Sequence, residues 1–373
     1  IKGSINQVTA PKDPAVDPGC CELAVEKIVG AGKYADIDGD VNMTLSCQPE
    51  RKVSLLFAGA DEANGNGNIA LNITSGRFGK VFGGNNLGGV VKGKITVNVE
   101  ETGCQPIKID DLYLGGNEAA YSVFGYYESD EIHSVTGKKI LKPRTSATDP
   151  NLPVKLDGTS YTSIDQFTNY AQPELNIISC TYIGNVFGGG FGEGAIMYAN
   201  PTVNVNMEPG DYADTAVPAM MTELGLDVTK TAPNPDNLGI IRNVFGGGDA
   251  ANIAGDTYVN IATETGKSAY IIGSVCGGGN AADVLGNTNV TMSNGYVFNG
   301  IFGGGLSGSV GTFTTSTNAD DISELFNHVS HDDCTGKPVS CADGTGKCTV
   351  VVNGGQIGPI EVATEGMRRL DRS

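Results

Sequence analysis

Short runs in which apolar and polar residues alternate recur along this chain, each bounded by glycine. Thr202-Val203-Asn204-Val205-Asn206-Met207, Thr257-Tyr258-Val259-Asn260-Ile261 and Thr288-Asn289-Val290-Thr291-Met292 are three of them. A period of two puts every second side chain on one face, so each run predicts a strand with one buried side. A second kind of run leads into glycines, as in Tyr182-Ile183-Gly184-Asn185-Val186-Phe187, in Gly239 to Phe245 and in Tyr270 to Val275. The Val, Thr, Ile and Asn content of both kinds suits strands and stacked turns rather than helix. Along the chain the order is strand, glycine turn, strand, variable turn.

These pieces belong to one repeat. Val275 to Met292 aligns without a gap over 18 positions with Val244 to Ile261, Ile28 to Leu45 and Leu56 to Ile73. A second glycine falls in one column of all four, at Gly39, Gly67, Gly255 and Gly286. Looser copies open at Val81, Leu112, Val186 and Ile301. The starts at 28, 56, 81, 112, 186, 244, 275 and 301 lie 25 to 31 residues apart, except for steps of 74 and 58 that contain insertions.

A unit of two strands cannot bury its apolar face alone. Stacked units can, because each strand then pairs with its equivalent about 4.8 Å along the axis. The prediction is an all-β chain, a single-stranded parallel β-helix solenoid of about eight coils, right-handed on the rule for parallel crossovers. A β-propeller needs about four strands and roughly 40 residues per blade, more than this spacing provides. Inward Val, Ile and Phe should form continuous stacks. The glycines should make corners where backbones pass closely, many at positive φ. Asn85, Asn117, Asp249 and Asn280 beside those corners should stack as hydrogen-bonded ladders.

The organisation that follows is an N-terminal extension or cap at 1–27, the repeat at 28–360 and a tail at 361–373. Insertions fall at about 122–178, 208–238 and 314–347. Ala219 to Leu224 reads as a short helix and Asp320-Asp321 as a helix N-terminus. Gly354 to Gly358 opens a further coil, so either a cap covers that end or the chain continues. An uncovered end would be a pairing edge. Beginning at Ile1 without Met, the chain reads as a mature or trimmed product.

Composition supports this architecture. There are 54 glycines in 373 residues and no Trp. Without a collagen triplet that means disorder or a backbone that turns often. A 39% hydrophobic content in regular runs argues against disorder. The net charge of −18 disfavours nucleic acid and anionic membrane as partners, and is compatible with calcium or neutral glycans. No run reaches the roughly 18 apolar residues that span a bilayer.

Nine cysteines form no Cys-x-x-Cys pair, which favours disulfides in an oxidising compartment over zinc. Cys104 and Cys180 stand at similar distances before coil starts, as do Cys20 (or Cys21) and Cys47. Bridges Cys104–Cys180 and Cys20–Cys47 are therefore expected. Cys276 takes the Phe position of its repeat and should be a buried free thiol.

The repeated Val-Phe-Gly-Gly-Gly, the Ala-Asp-x-x-Gly-Asp/Asn turn and the Asn-Val-x-Met/Ile strand resemble glycine-rich surface proteins of gut Bacteroidetes. That resemblance implies a secreted or cell-surface β-helix, adhesin-like in character. It carries core and corner residues rather than a site, and transfers no functional residue.

Catalytic residues do not emerge. Polysaccharide lyases on β-helices need an acidic calcium cluster with a strong base, and hydrolases need paired carboxylates. Here strand positions carry Thr, Asn, Ser and Gly, and Arg242 and Arg77 have no acid partner nearby in sequence. Asp36 to Asp40 begins like a calcium loop, but Val41 and Cys47 stand where an EF-hand has Gly and Glu. Asp249, Asp256 and Asp283 recur in turns, as calcium ligands or as Asx turns. His328, His331, Asp332 and Asp333 resemble a transition-metal set. Tyr161, Asp165, Phe167 and Tyr170 form an aromatic-polar group suited to stacking on a sugar, or to pinning their insertion to the coil. The glycine triplets are never followed by the Lys-Ser/Thr of a phosphate loop.

The expectation is a non-enzymatic extracellular or outer-surface protein, structural or adhesive, binding a glycan or a host or bacterial surface protein. It needs no cofactor unless calcium sits at the Asp turns, and it inserts in no membrane. A polysaccharide-active β-helix enzyme and a subunit of an end-to-end filament or stalk are the alternatives.

Overall fold

The computed structural model describes residues 26–46, 52–122, 172–226, 234, 236–311 and 346–358, with the backbone of strands Ile5–Asn6, Tyr126–Ile132 and Lys139–Pro143. Nearly every element among them is a strand, and the sheets are parallel apart from one antiparallel hairpin of Tyr126–Ile132 with Lys139–Pro143. Among the described residues the one helix, Ala216–Glu223, lies in the second insertion and includes most of the segment expected to be helical. Among the described residues no helix is long and apolar enough to cross a membrane.

The chain passes back and forth between two long sheets. One, here the asparagine sheet, stacks Ile5–Asn6, Val41–Leu45, Ile69–Ile73, Ile95–Val99, Glu174–Ile177, Thr202–Val205, Thr257–Ile261, Thr288–Met292 and Cys348–Val352. The other, the signature sheet, stacks Lys27–Val29, Val53–Phe57, Arg77–Phe82, Lys108–Tyr113, Tyr182–Phe187, Ile240–Phe245 and the shorter strands that follow. Ile28, Leu56, Val81, Leu112, Val186, Val244, Val275 and Ile301 form one column of paired residues. The repeat seen in sequence is therefore the rung of a parallel stack.

Each unit has three faces rather than the two strands expected. Single bridges join Ile37, Gly65, Val91 and Tyr121, and likewise Met197, Ile253, Val284 and Val310. Tyr121–Ser122 pairs with Met197–Tyr198 to connect the two series. This third column is about one residue wide, so it leaves no alternating run in the sequence.

The apolar residues also divide in two. Val and Ile of both sheets point into the main core, where Val81, Val97, Leu112, Val186 and Val244 are fully buried. The Phe that follows in the signature is on the opposite side of its strand, because neighbouring side chains alternate. Phe57, Phe82, Tyr113, Phe187, Phe245 and Cys276 make a separate buried column, with Val29, Leu55 and Phe191 packed against it. The first five rings stack with centroids 4.7–5.0 Å apart. Val, Ile and Phe thus form continuous stacks as expected, but the Phe column lies on the opposite side of the signature strand from the Val and Ile core.

The signature glycines serve close approach and not positive φ. None of Gly246, Gly247, Gly277 and Gly278 is in the left-handed region. A Cβ on Gly246 would lie 2.2 Å from the carbonyl oxygen of Gly277 in the next unit. The backbones of successive units touch there, and only hydrogen fits.

Polar side chains stack as well. Asn98 donates from Nδ2 to Asn72 Oδ1 at 2.9 Å, Asn176 to Asn98 at 3.0 Å, Asn204 to Asn176 at 2.8 Å and Asn260 to Asn204 at 2.9 Å. At the glycine corner Asn117 donates to Asn86, Asn86 to Asp61, and Asn280 to Asp249. Asn85 is not part of that ladder. Its Oδ1 accepts from the Ala60 N–H and its Nδ2 donates to the Ala63 and Gly88 carbonyls, so it ties its own turn to the turn of the preceding unit.

Truncating a ring in mid-column should cost far more than its area alone, because the rings above and below hold the cavity open. Phe82→Ala is expected to lose about 3–5 kcal/mol, read as a lowered urea midpoint with the sheet signal retained below it.

Candidate functional site

The outward side chains of the signature sheet form columns because the strands stack in register. Arg77, Lys108, Tyr182 and Ile240 share one column. Lys80, Asp111, Asn185 and Asn243 share another. Between them Gly184 stands opposite Asp110 on one side and Arg242 on the other, as the flanking pairs require. A Cβ on Gly184 would lie 2.2 Å from the Asp110 carbonyl oxygen. No side chain can therefore separate Asp110 from Arg242, whose backbones are two rungs or roughly 10 Å apart.

A short ladder fixes the inner edge of this strip. Asn185 Nδ2 donates to Asp111 Oδ1 at 2.8 Å, Asn243 Nδ2 to Asn185 Oδ1 at 2.9 Å, and the Ser274 N–H to Asn243 Oδ1 at 3.0 Å. Lys80 sits over the Phe191 ring at 3.8 Å, and Phe191 meets Tyr113 edge-on. At the outer edge the helix of the second insertion arrives, with Glu223 Oε2 3.6 Å from Lys108 Nζ. Lys52 pairs with Asp110.

Tyr182 lies half-buried at the centre. Burial raises its phenol pKa, Arg242 opposes that shift, and the carboxylates of Asp110, Asp111 and Glu223 add to it. The phenol therefore keeps its proton near neutrality and remains a donor. Donors (Tyr182, Arg242, Lys108) and acceptors (Asp110, Asp111, Glu223) alternate over a few rungs at fixed spacing. Such an array matches neighbouring hydroxyls of a sugar, which both give and accept hydrogen bonds.

The residues singled out from sequence are mostly placed elsewhere or not placed. Tyr161, Asp165, Phe167 and Tyr170 lie outside the described residues, as do His328, His331, Asp332, Asp333, Cys20 and Cys47. Arg242, without an acid near it in sequence, lies two rungs from Asp110 on the signature sheet, with Gly184 between them. The turn aspartates are occupied by the next unit rather than by their own turn. Asp256 Oδ1 accepts from the Asn287 N–H at 2.7 Å, Asp283 Oδ1 from the Ser309 N–H at 2.7 Å, and Asp36 Oδ1 from the Asn64 N–H at 2.9 Å. Those bonds hold Asp36 below the usual carboxylate range, and the Asn86 amide and Lys27 do the same for Asp61. Among the described residues no group of three or more His, Cys, Asp or Glu is placed to share a metal.

The expected Cys104–Cys180 bridge is not formed. Cys180 is a free, buried thiol in the main core, whereas Cys104 is disulfide-bonded. The register explains the difference. Ile177 pairs with Val99, so Cys180 is three residues past its strand and Cys104 five. Counting back from coil starts across turns of unequal length hid that offset. Cys276 is free and buried as expected, and burial raises its thiol pKa to about 11.

Tyr182, Asp110, Asp111, Asn185 and Asn243 went unnoticed in the sequence. Aligning Lys108–Tyr113, Tyr182–Phe187 and Ile240–Phe245 on their Leu or Val position would have put Asp111, Asn185 and Asn243 in one column. Comparison with known proteins finds no matching family model, no matching curated protein and no matching solved structure.

Two outcomes follow. Asp111→Asn keeps an acceptor for the Asn185 amide and should leave stability nearly unchanged, whereas Asp111→Leu strands that amide and should cost about 1–2 kcal/mol by urea unfolding. Of Cys180, Cys276 and Cys348, a maleimide should label only the exposed Cys348 in the native protein, with the other two reacting after denaturation, as peptide mass mapping would show.

Proposed function

We propose that this chain is an extracellular or outer-surface structural and adhesive protein, not an enzyme, and that it holds a glycan on the outer face of its signature sheet. In this reading the stacked units close into a right-handed, single-stranded parallel β-helix, and the polar strip is displayed on it. The observation that carries the reading is the strip itself, with Tyr182, Asp110, Arg242 and Asn185 held in register around Gly184. Sugar binding is favoured by acceptors and donors preset on a rigid frame, since little side-chain freedom is then lost on association. Neutral or weakly charged glycans suit the near balance of Asp110, Asp111 and Glu223 against Lys52, Lys108 and Arg242. The resemblance to adhesin-like surface proteins of gut Bacteroidetes agrees with it. A host or bacterial surface protein is the alternative ligand, bound through the same face or through the insertions.

The enzyme reading is weakened by the state of the acids. Asp110 is paired with Lys52 and Asp111 accepts from Asn185, which leaves neither poised as a general acid. A filament reading has an observation of its own. Val350, Val352 and Ile357 on the last described rung, with Phe302 and Leu306, are exposed apolar residues at the end of the stack. End-to-end assembly would appear as concentration-dependent growth in sedimentation velocity.

The deciding test is a glycan array read with calcium and then with chelator, with product analysis of each hit. Selective binding without cleavage, weakened about tenfold by Arg242→Ala or Asp110→Ala, is the expected result. Loss on chelation would bring calcium into the site, and cleavage products would overturn the non-enzymatic reading.

A further inference from the structure

Glu101 is the one described carboxylate that the stack fully buries, and one of its oxygens has no partner. It follows the strand Ile95–Val99 and is 0% exposed. Oε2 accepts from the Ile107 N–H at 2.7 Å and from the Thr181 hydroxyl at 2.8 Å. Oε1 accepts from nothing. An unmade hydrogen bond on a buried carboxylate is costly, and costlier still if the group is charged.

What covers this carboxyl is the root of the second insertion. A Cβ on Gly210 would lie 2.8 Å from Oε1, so the backbone there rests directly on the carboxyl group. The Asp211 N–H donates to the Glu101 carbonyl at 3.1 Å, and the Tyr212 hydroxyl to the Gly103 carbonyl at 3.1 Å. Beyond this root the chain continues into Ala216–Glu223, whose Val217, Met220 and Met221 are buried in the main core.

We infer that Glu101 is a proton-operated latch, neutral while residues 208–226 are docked on the stack and ionised when their root lifts away. Burial, opposed only in part by the Ile107 N–H, the Thr181 hydroxyl and the backbone N–H groups of Tyr212 and Thr181, holds its carboxyl above the usual carboxylate range. The titratable groups facing it bring no positive charge to offset ionisation. They are the Cys180 thiol from the turn of the next unit and the Tyr212 phenol from the insertion. Cys104, on the same turn, is disulfide-bonded and does not titrate. An anion here would be buried with no cation facing it and Oε1 still unpaired.

The sign follows from linkage. The docked state binds the proton more tightly than the lifted state, in which Glu101 meets water and titrates near its ordinary value. Docking is therefore strongest below that ordinary value. It weakens by about tenfold per pH unit as the pH climbs to the raised value, then levels off. The helix end carries Glu223 to Lys108, so the same proton sets whether this edge of the polar strip is in place. The latch does not depend on what the strip binds.

Hydrogen exchange of the full chain, followed by mass spectrometry from about pH 4 to about pH 9 and corrected for intrinsic rates, tests the inference. Protection of peptides within 208–226 should fall with rising pH, while Thr257–Ile261 stays constant. Glu101→Gln keeps an acceptor for Ile107 and Thr181 but cannot ionise, and should make the profile flat. A flat wild-type profile, or an unchanged slope in Glu101→Gln, overturns the latch. Should that variant not fold, carbon-13 NMR of glutamate side chains in the wild-type protein decides. One carboxyl must titrate above the usual range together with the loss of protection, and its absence refutes the proposal.

Discussion

Everything in this fold depends on one unit sitting on the next in a single register, and the side-chain ladders that secure it run in one direction. In each ladder the donor belongs to the later unit and the acceptor to the earlier one. An amide inside a ladder gives from Nδ2 and accepts at Oδ1, but the first member has only to accept. A carboxylate does that and carries no donor left unmet. Asp36, Asp38, Asp40, Asp61, Asp111 and Asp249 all stand at that first position. Asp256 and Asp283 occur in mid-ladder only because their own backbone N–H supplies the donor. Part of the acidity of the chain is thus a structural requirement of its directionality.

Register explains the rest of the interior. Rings can stack at 4.7–5.0 Å only if each falls on the one before, and Tyr113 and Cys276 take the Phe place without breaking the column. Backbones meet at the glycine corner so closely that a methyl group would collide with a carbonyl oxygen. A slip of one residue would set every apolar side chain on the wrong face and every amide beside the wrong partner. Such a stack is a rigid frame, and the polar strip on its signature sheet inherits that rigidity.

The second insertion is where the frame admits something other than repetition. It covers the only fully buried carboxylate of the described residues and places its helix end against the strip. Stability and regulation meet at Glu101, because burying an acid with one oxygen unpaired is tolerable only while it is neutral. The two long sheets are paired strand to strand without this segment, so residues 208–226 can lift without the stack itself coming apart.

The sequence by itself determined the unit: its 25–31 residue period, its strands, its glycine corner and the buried free thiol at Cys276. These are legible because alternation and spacing are local, and because a repeated unit shows them several times. The Asn117, Asp249 and Asn280 corner positions were legible for the same reason. Only the tertiary structure decided the third column, the split between the Val core and the Phe column, the part of Asn85, the absence of a Cys104–Cys180 bridge and the alignment of Asp111, Asn185 and Asn243 in one ladder. The third column is too narrow to leave a pattern. The others depend on which residue of one unit falls above which residue of another, across turns and insertions of unequal length. That offset comes from how the stack packs, and no single stretch of sequence contains it.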